Sequence, residues 1–338
     1  MEVTTIGLDI AKNIFQVHGA TETGATVFNR PLRRNQLLAF FERLEPCLVG
    51  MEACATSQHW AREISEFGHD VRLIPPSYVK PFVRRGKSDA IDAAAICEAV
   101  TRPDMRFVEP KTLEQQAILS IHRARALVVR QRTQIINMVR SILAEFGVAV
   151  PQGVPSIMTL AGSEVKREAL NLPVVAREVV DNLLYQLSAL DRRVRWYGRK
   201  IEAHVRANAQ ARRLHTIPGT GPITASAIVA TIGDARQFRS GRELAAWLGL
   251  TPLNRSSGGK ERSGGISKMG DRYIRNLLVI GMTARLKIFD RHPERSDPWT
   301  KCLLERKPRR LATVAMANKT ARAIWAMLTR EEDYKSAT

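Results

Sequence analysis

Gly86-Lys87-Ser88-Asp89-Ala90-Ile91-Asp92-Ala93-Ala94-Ala95-Ile96-Cys97 decides how the first third of this chain is read. The alanine-rich run favours a helix, and its first turn carries two carboxylates three residues apart, so Asp89 and Asp92 share one helix face. Like charges this close gain little from folding alone and gain much from a shared divalent cation. The cluster Arg84-Arg85-Gly86-Lys87 lies directly before them and suits phosphates arriving alongside. The plainer alternative is an N-cap followed by a first-turn acid at the positive end of the helix dipole.

Working outward, Thr4–Lys12 reads as a strand carrying one acid, Asp9, and Ile14–Ala20 as a second strand. The turn Glu22-Thr23-Gly24 and the segment Ala25–Phe28 extend these into a meander. Leu37, Leu38, Phe40, Phe41 and Leu44 recur at helical spacing over 35–44. Cys47–Met51 is a short strand ending on Glu52, 56–67 fits a helix, and Val71–Ile74 a strand closed by Pro75-Pro76. The Asp89 helix completes the series. Strand meander, helix, strand, helix, strand, helix is the order of an RNase H-like α/β domain.

In such a sheet Asp9, Glu52, Asp89 and Asp92 converge at one edge from distant positions. Four carboxylates repel one another, and a core strand tolerates an acid such as Asp9 only with a partner. Two Mg²⁺ ions, with Mn²⁺ as a substitute, suit that set: they activate an attacking hydroxyl and stabilise the leaving oxygen of a phosphodiester.

The net charge of +19 and pI near 10.4 point to a polyanionic partner, nucleic acid before membrane. Its distribution is uneven. Residues 1–110 hold 13 Lys/Arg against 14 Asp/Glu, 111–205 hold 14 against 8, and 206–338 hold 25 against 11. The excess therefore lies in the C-terminal two thirds. Cys47, Cys54, Cys97 and Cys302 form no close pair and the seven histidines lack metal-ligand spacing, which argues against structural zinc and for reduced thiols. No apolar run approaches a membrane span, and the N-terminus lacks the regions of a signal peptide, so the expected location is the cytoplasm.

Leu113–Phe146 contains neither Pro nor Gly and reads as one long helix; a second starts near Pro173 and reaches about Val205. Such a pair forms either an antiparallel hairpin or a coiled-coil-like device joining protomers. Arg123, Arg125, Arg130 and Arg132 are candidates for nucleic-acid contact or for a solvated face. Pro218-Gly219-Thr220-Gly221-Pro222 leading into Thr224–Val229 has the form of a helix-hairpin-helix, with Gly219 and Gly221 allowing close approach to a phosphate. A Schellman-type turn between packed helices is the competing reading. Residues 247–272, rich in Ser, Gly, Lys and Arg, are expected as a loop whose hydroxyls and N–H groups are open to phosphate, or as a plain basic surface loop. The following Tyr273–Val279 looks helical and would fix one end of that loop. The segment 285–310 is basic and Pro-punctuated, and Leu311–Leu328 is a last amphipathic helix.

Three blocks carry a resemblance. Gly7-Leu8-Asp9-Ile10-Ala11-Lys12, Gly50-Met51-Glu52-Ala53-Cys54 and Lys87-Ser88-Asp89-Ala90-Ile91-Asp92-Ala93 resemble the Asp, Glu, Asp, Asp blocks of the IS-one-ten family of bacterial insertion-sequence transposases. Cys54-Ala55-Thr56-Ser57 and Ile74–Pro81 look more like its IS-eleven-eleven subgroup. Gly249–Pro252, Ser256–Lys260 and Ile266–Asp271 are similar to the family's C-terminal block, where a nucleophilic serine precedes a glycine. That selects Ser257, with Ser256 as runner-up in register and Ser263 third.

The resemblance implies a RuvC-like catalytic domain at 1–110, a helical coiled-coil linker or oligomerisation region at 111–205, and a mainly helical C-terminal transposase domain with the serine loop at 206–338. It implies a recombinase that cuts and rejoins DNA through a covalent serine–DNA intermediate, with Asp9, Glu52, Asp89 and Asp92 binding Mg²⁺. The serine would come from the same or a neighbouring protomer. Arg84, Arg85, Lys87, Gly219, Gly221, Lys260, Arg262, Lys268, Arg272 and Arg275 are the nucleic-acid-binding candidates. Implied partners are element-end and target DNA, a structured noncoding guide RNA and further copies of the chain as a dimer or tetramer. The alternative is a RuvC-like structure-selective nuclease or junction resolvase, which needs the acids but not the serine. A non-enzymatic nucleic-acid-binding protein would leave the acids without purpose.

Overall fold

The computed structural model describes residues 2–84, 86, 88–254 and 263–335. The chain forms two compact units, Met1–Thr112 and Leu113–Thr338.

The first unit is a mixed five-stranded sheet flanked by helices. Its strands are β1 (Thr5–Asp9), β2 (Ile14–Ala20), β3 (Thr26–Arg33), β4 (Leu48–Glu52) and β5 (Asp70–Ile74), in the spatial order β3-β2-β1-β4-β5. Short connections make β1–β2 and β2–β3 antiparallel. Pairing β1 with β4 and β4 with β5 in parallel requires crossovers, which α1 (Leu37–Glu42) and α2 (Ser57–Ser65) supply. Ile6, Leu8, Phe15, Val17, Val49 and Met51 alternate towards one face and bury against Leu37, Phe41, Trp60 and Ile64 of those helices. β3 runs past the expected Phe28 to Arg33 and includes Pro31. As an edge strand it tolerates a residue that cannot donate to a ladder.

A single turn, α3 (Pro76–Val79), leads to α4 (Asp89–Val100), which covers the opposite face of the sheet. Six of its residues are alanine or cysteine, small enough to lie flat on the strands. The strands answer with glycine. A Cβ built on Gly7 would stand 2.1 Å from the Ala93 carbonyl oxygen and 2.5 Å from the Cys97 nitrogen, and one on Gly50 would stand 2.7 Å from Val100 Cβ. Gly7 and Gly50 are register partners in β1 and β4, so one glycine step across the central strands seats the helix.

The second unit is helical. The long helices α5 (Leu113–Glu145) and α8 (Val174–Ala207) match their sequence periodicity, with α6 (Val154–Ala161) and α7 (Glu164–Glu168) in the connection. They pack on each other through Val139, Leu143, Leu184 and Leu187. Arg132 bonds Asp191 at 2.9 Å, while His122 and His204 meet at one hydroxyl, so the two helices run antiparallel. Arg132 thus points inward to a carboxylate, whereas Arg123 and Arg130 are exposed.

Beyond them lie α9 (Ala209–His215), α10 (Pro222–Ile232), α11 (Gly241–Trp247), α12 (Arg272–Arg291), α13 (Pro298–Arg306) and α14 (Arg309–Arg330). α10 is buried nearly all round, against α5 and α8 as well as α9 and α12. The 247–272 segment is not all loop as expected. β6 (Pro252–Asn254) and β7 (Ser263–Ile266) pair as an antiparallel ribbon, since backbone pairing at such a stem needs no bulky side chain.

One buried polar bridge ties this unit together. Ser226 Oγ of α10 lies 2.9 Å from His122 Nε2 and 2.9 Å from His204 Nδ1, and His122 Nδ1 lies 3.1 Å from the Tyr273 hydroxyl. Burial, assisted by the charges of Arg125 and His204, pushes the His122 imidazole down to about 4. The folded chain then binds fewer protons than the unfolded one below the ordinary histidine range, so stability falls as pH drops from about 6.5 to about 4. Urea unfolding across that window should show wild type losing roughly 3 kcal/mol more than His122→Gln. Equal slopes would show that His122 does not carry the effect.

Candidate active site

β1 ends on Asp9 and its parallel neighbour β4 ends on Glu52. The register pairs Gly7 with Gly50 and Leu8 with Met51. Side chains alternate along a strand, so Asp9 and Glu52, each two residues beyond its glycine, lie side by side on the face that α4 covers. α4 begins at the matching place. Ser88 caps it by accepting from the Ile91 N–H at 3.3 Å, and Asp89 and Asp92 occupy its first turn. The plain reading of an N-cap followed by first-turn acids therefore holds, and because Ser88 is the cap, neither aspartate side chain is used for capping.

The electrostatics show the acids acting on one another. Burial raises the Asp9 carboxyl above the usual aspartate range, and the charges of Asp92 and Asp89 raise it further, against an opposing hydrogen bond from the Ile10 N–H. Glu52 is raised by burial, then by Asp9 and Asp92. Among the described residues none of the four forms an ion pair. Four hard oxygen donors with mutual repulsion and no cationic partner fit a divalent cation in chemistry and charge. The carboxyls converge without closing into a ligand shell: among the described residues no three metal-ligating groups stand close enough to hold one ion.

Of the basic candidates beside α4, Arg84 is exposed, while Arg85 and Lys87 lie outside the described residues. Ser256, Ser257, Lys260 and Arg262 also lie outside them, as does the side chain of Ser263. What the structure describes is the base of their segment, and it is clamped. Gly249 and Gly270 both have positive φ, and a Cβ on Gly270 would stand 1.7 Å from the Trp247 carbonyl oxygen. Arg275 is buried, with Nη1 donating to the Leu248 and Met269 carbonyls at 2.8 and 2.7 Å. Its guanidinium holds the two ends of the segment together. Lys268 and Arg272 are exposed beside it.

Gly219 and Gly221 do different jobs. Gly219 takes φ of 86° and seats against α12, where a Cβ on Gly281 would stand 2.0 Å from the Gly219 oxygen. That is the packed-turn geometry. Gly221 caps α10, is exposed and has open space around its Cα.

The paired Gly7 and Gly50 and the clamp at Arg275 were not singled out from the sequence. The glycine signal was there to find, because Gly-x-acid occurs at both strand ends; nothing in the sequence marked Arg275 as buried.

Comparison with known proteins gives the family. Residues 6–147, which contain all four acids, match the DEDD transposase family of IS110 type, and residues 211–297, which contain Ser257, match the family described as transposase IS116/IS110/IS902. A probable family 20 transposase of Pseudomonas aeruginosa is 47% identical over 99% of both chains. A putative transposase of Sinorhizobium fredii is 39% identical over 99% of this chain and 87% of its own. The transposase for insertion sequence element IS1111A of Coxiella burnetii is 37% identical over 99% of this chain and 92% of its own. DEDD transposases generally use a divalent metal, in keeping with the donor set. With both halves of the chain matched in order and relatives aligned from end to end, the protein belongs to the IS110/IS116/IS902 family of insertion-sequence transposases, enzymes that cleave and rejoin DNA.

Proposed function

We propose that Asp9, Glu52, Asp89 and Asp92 form the divalent-cation site of a DNA recombinase in which Ser257 is the nucleophile. The observation that carries this reading is the convergence of four carboxyls without an internal counter-charge at one end of the sheet. The strand order and its antiparallel-then-parallel pairing support an RNase H-like, RuvC-like identity for this unit. Mg²⁺, or Mn²⁺ in its place, would supply Lewis-acid stabilisation of charge on the phosphate. A serine hydroxyl is a poor nucleophile until a base takes its proton. Asp9 and Glu52, whose carboxyls burial and neighbouring charge hold above the ordinary range, are suited to take it. Attack by Ser257 Oγ forms the serine–phosphate bond and breaks one deoxyribose P–O bond, and the departing oxygen leaves protonated. Lys260, Arg262 and Lys268 offset phosphate charge, and Arg275 fixes the base of their segment.

In this reading 1–110 carries the acids, 111–205 is the helical linker or oligomerisation region and 206–338 presents the serine. The strongly basic C-terminal two thirds support element-end and target DNA, together with a structured guide RNA, as partners of a dimer or tetramer in the cytoplasm. No helix among the described residues is long and apolar enough to cross a membrane.

The test is a protein–DNA adduct. Protein and guide RNA incubated with element-end DNA and Mg²⁺ should give a denaturation-resistant adduct that Ser257→Ala abolishes. Cleavage and adduct persisting in Ser257→Ala would remove the serine assignment and leave the structure-selective nuclease in its place.

A further inference from the structure

A groove of about 680 Å³ opens on the first unit, lined by Asn13, Ile14, Arg33, Arg34, Asn35 and Trp60. It opens at the end of the sheet where β1 passes into β2, with three residues between Asp9 and Asn13 along the chain and with Trp60 on the face opposite the one that α4 covers. It is an open groove whose volume can take a small molecule or a nucleotide.

Three features of its lining suit a nucleotide. The floor is Trp60, buried and held edge-on against Phe15 with ring centroids 5.1 Å apart. The guanidinium of Arg34 stands over that indole, 4.8 Å from its centroid, and is tied by Nη1 to the Lys12 carbonyl at 3.3 Å. An arginine fixed in this way presents a flat cationic face on which a base can stack. Next, Arg33 and Arg34 of the lining and Lys12 just outside it are exposed, and among the described residues none is paired with a carboxylate. Residues 1–110 hold one more acid than base, so these cations form a local positive patch in a unit with no net positive charge. It attracts a phosphate. Finally, the exposed amides of Asn13 and Asn35 each offer a donor and an acceptor to a base edge.

We propose that this groove holds an unpaired nucleotide of the DNA strand being processed, its base on Arg34 over Trp60 and its phosphate beside Arg33 and Lys12. The inference rests on the reading of the four acids as a DNA-cutting site. A base lies flat on the guanidinium only when it is turned out of its pair, so the contact calls for a melted segment. Holding one nucleotide at this end of the sheet would fix the register of the strand that reaches the acids.

Bulk affinity would be dominated by the basic C-terminal two thirds, so the experiment must report position. The full-length protein in EDTA is irradiated with single-stranded DNA carrying 5-iododeoxyuridine, and cross-links are mapped by mass spectrometry. Cross-links are expected within residues 13–14, 33–35 or at Trp60. Arg34→Lys, which keeps the charge and loses the flat face, and Arg33→Gln should each lower the yield there by about tenfold, with cross-links elsewhere unchanged. Both side chains are exposed, so the fold is retained, and circular dichroism checks this. Absence of cross-links at the groove, or yields unmoved in both variants, overturns the proposal. A duplex cross-linking there as well as the single strand overturns the unpaired state. An iodouridine RNA of the same sequence cross-linking there as well as DNA overturns the choice of DNA. No step needs metal or Ser257, so failure of the serine mechanism would leave the cross-links in place, and loss of the cross-links would leave the adduct test standing.

Discussion

Asp9→Asn is expected to lower DNA cleavage by at least about a thousandfold while raising the melting temperature of the metal-free protein by a few degrees. The two effects have one origin. Asp9 is partly buried at the end of a central strand, and its charge is opposed by burial and by Asp92 and Asp89. An amide of the same shape removes the repulsion and keeps the packing, so the folded state gains. Catalysis loses because the amide cannot take a proton from a hydroxyl and is a far weaker donor to a hard cation. This is the trade between stability and activity expected where charge is concentrated for function. Mg²⁺ adds a third readout, since a ligand that binds only the native state raises its melting temperature. The rise should be seen in wild type and be largely lost in Asp9→Asn. Cleavage at the wild-type rate in the variant would show that Asp9 does not take part; an equal response to Mg²⁺ would show that it does not hold the cation.

The acids were legible in the sequence because an ionisable group in an apolar strand is an anomaly that composition cannot hide. Asp9 and Glu52 each end a short apolar run, and Asp89 and Asp92 open an alanine helix, so the element order was enough to bring them together. The long helices were equally plain, since Leu113–Glu145 contains no Pro or Gly and its apolar spacing matches the buried stripe Val128, Ile135, Val139 and Leu143. What escaped was set by contacts between distant segments. Arg275 resembles any surface arginine until Leu248 and Met269 close over it. Gly219 looks like a phosphate turn until Gly281 is found against it. Pro31 seems to end a strand, yet at the sheet edge it does not. The pairing of Pro252 with Ile266 could not be read from a Ser/Gly-rich run with no alternation. The groove at Trp60 was invisible for the same reason, as Asn13, Arg33 and Trp60 come from the β1–β2 connection, β3 and α2.

Gly7→Ala should damage both fold and activity, by about 3 kcal/mol or more in stability and at least about a hundredfold in cleavage. The added methyl would meet the Ala93 carbonyl oxygen at 2.1 Å and the Cys97 nitrogen at 2.5 Å, and both are backbone atoms of α4. No rotamer change relieves such a contact, so the helix must lift from the strands. Lifting it exposes Ala93, Ile96 and Cys97, all buried against the sheet, and carries Asp89 and Asp92 away from Asp9 and Glu52. Gly24→Ala is the comparison, because Gly24 has φ of 81° and nothing within 4 Å of an added Cβ. It should cost about 1 kcal/mol through backbone strain alone and leave cleavage intact. The set of variants separates the two things the Gly-x-acid pattern does. Asp9→Asn removes the charge and leaves α4 in place, so stability rises as cleavage fails; Gly7→Ala moves α4 and leaves every acid present, so the two fall together. Thermal unfolding and a cleavage assay on the three proteins decide it. Full activity and an unchanged melting temperature in Gly7→Ala would mean that the close approach of α4 to β1 is not what positions the four carboxyls.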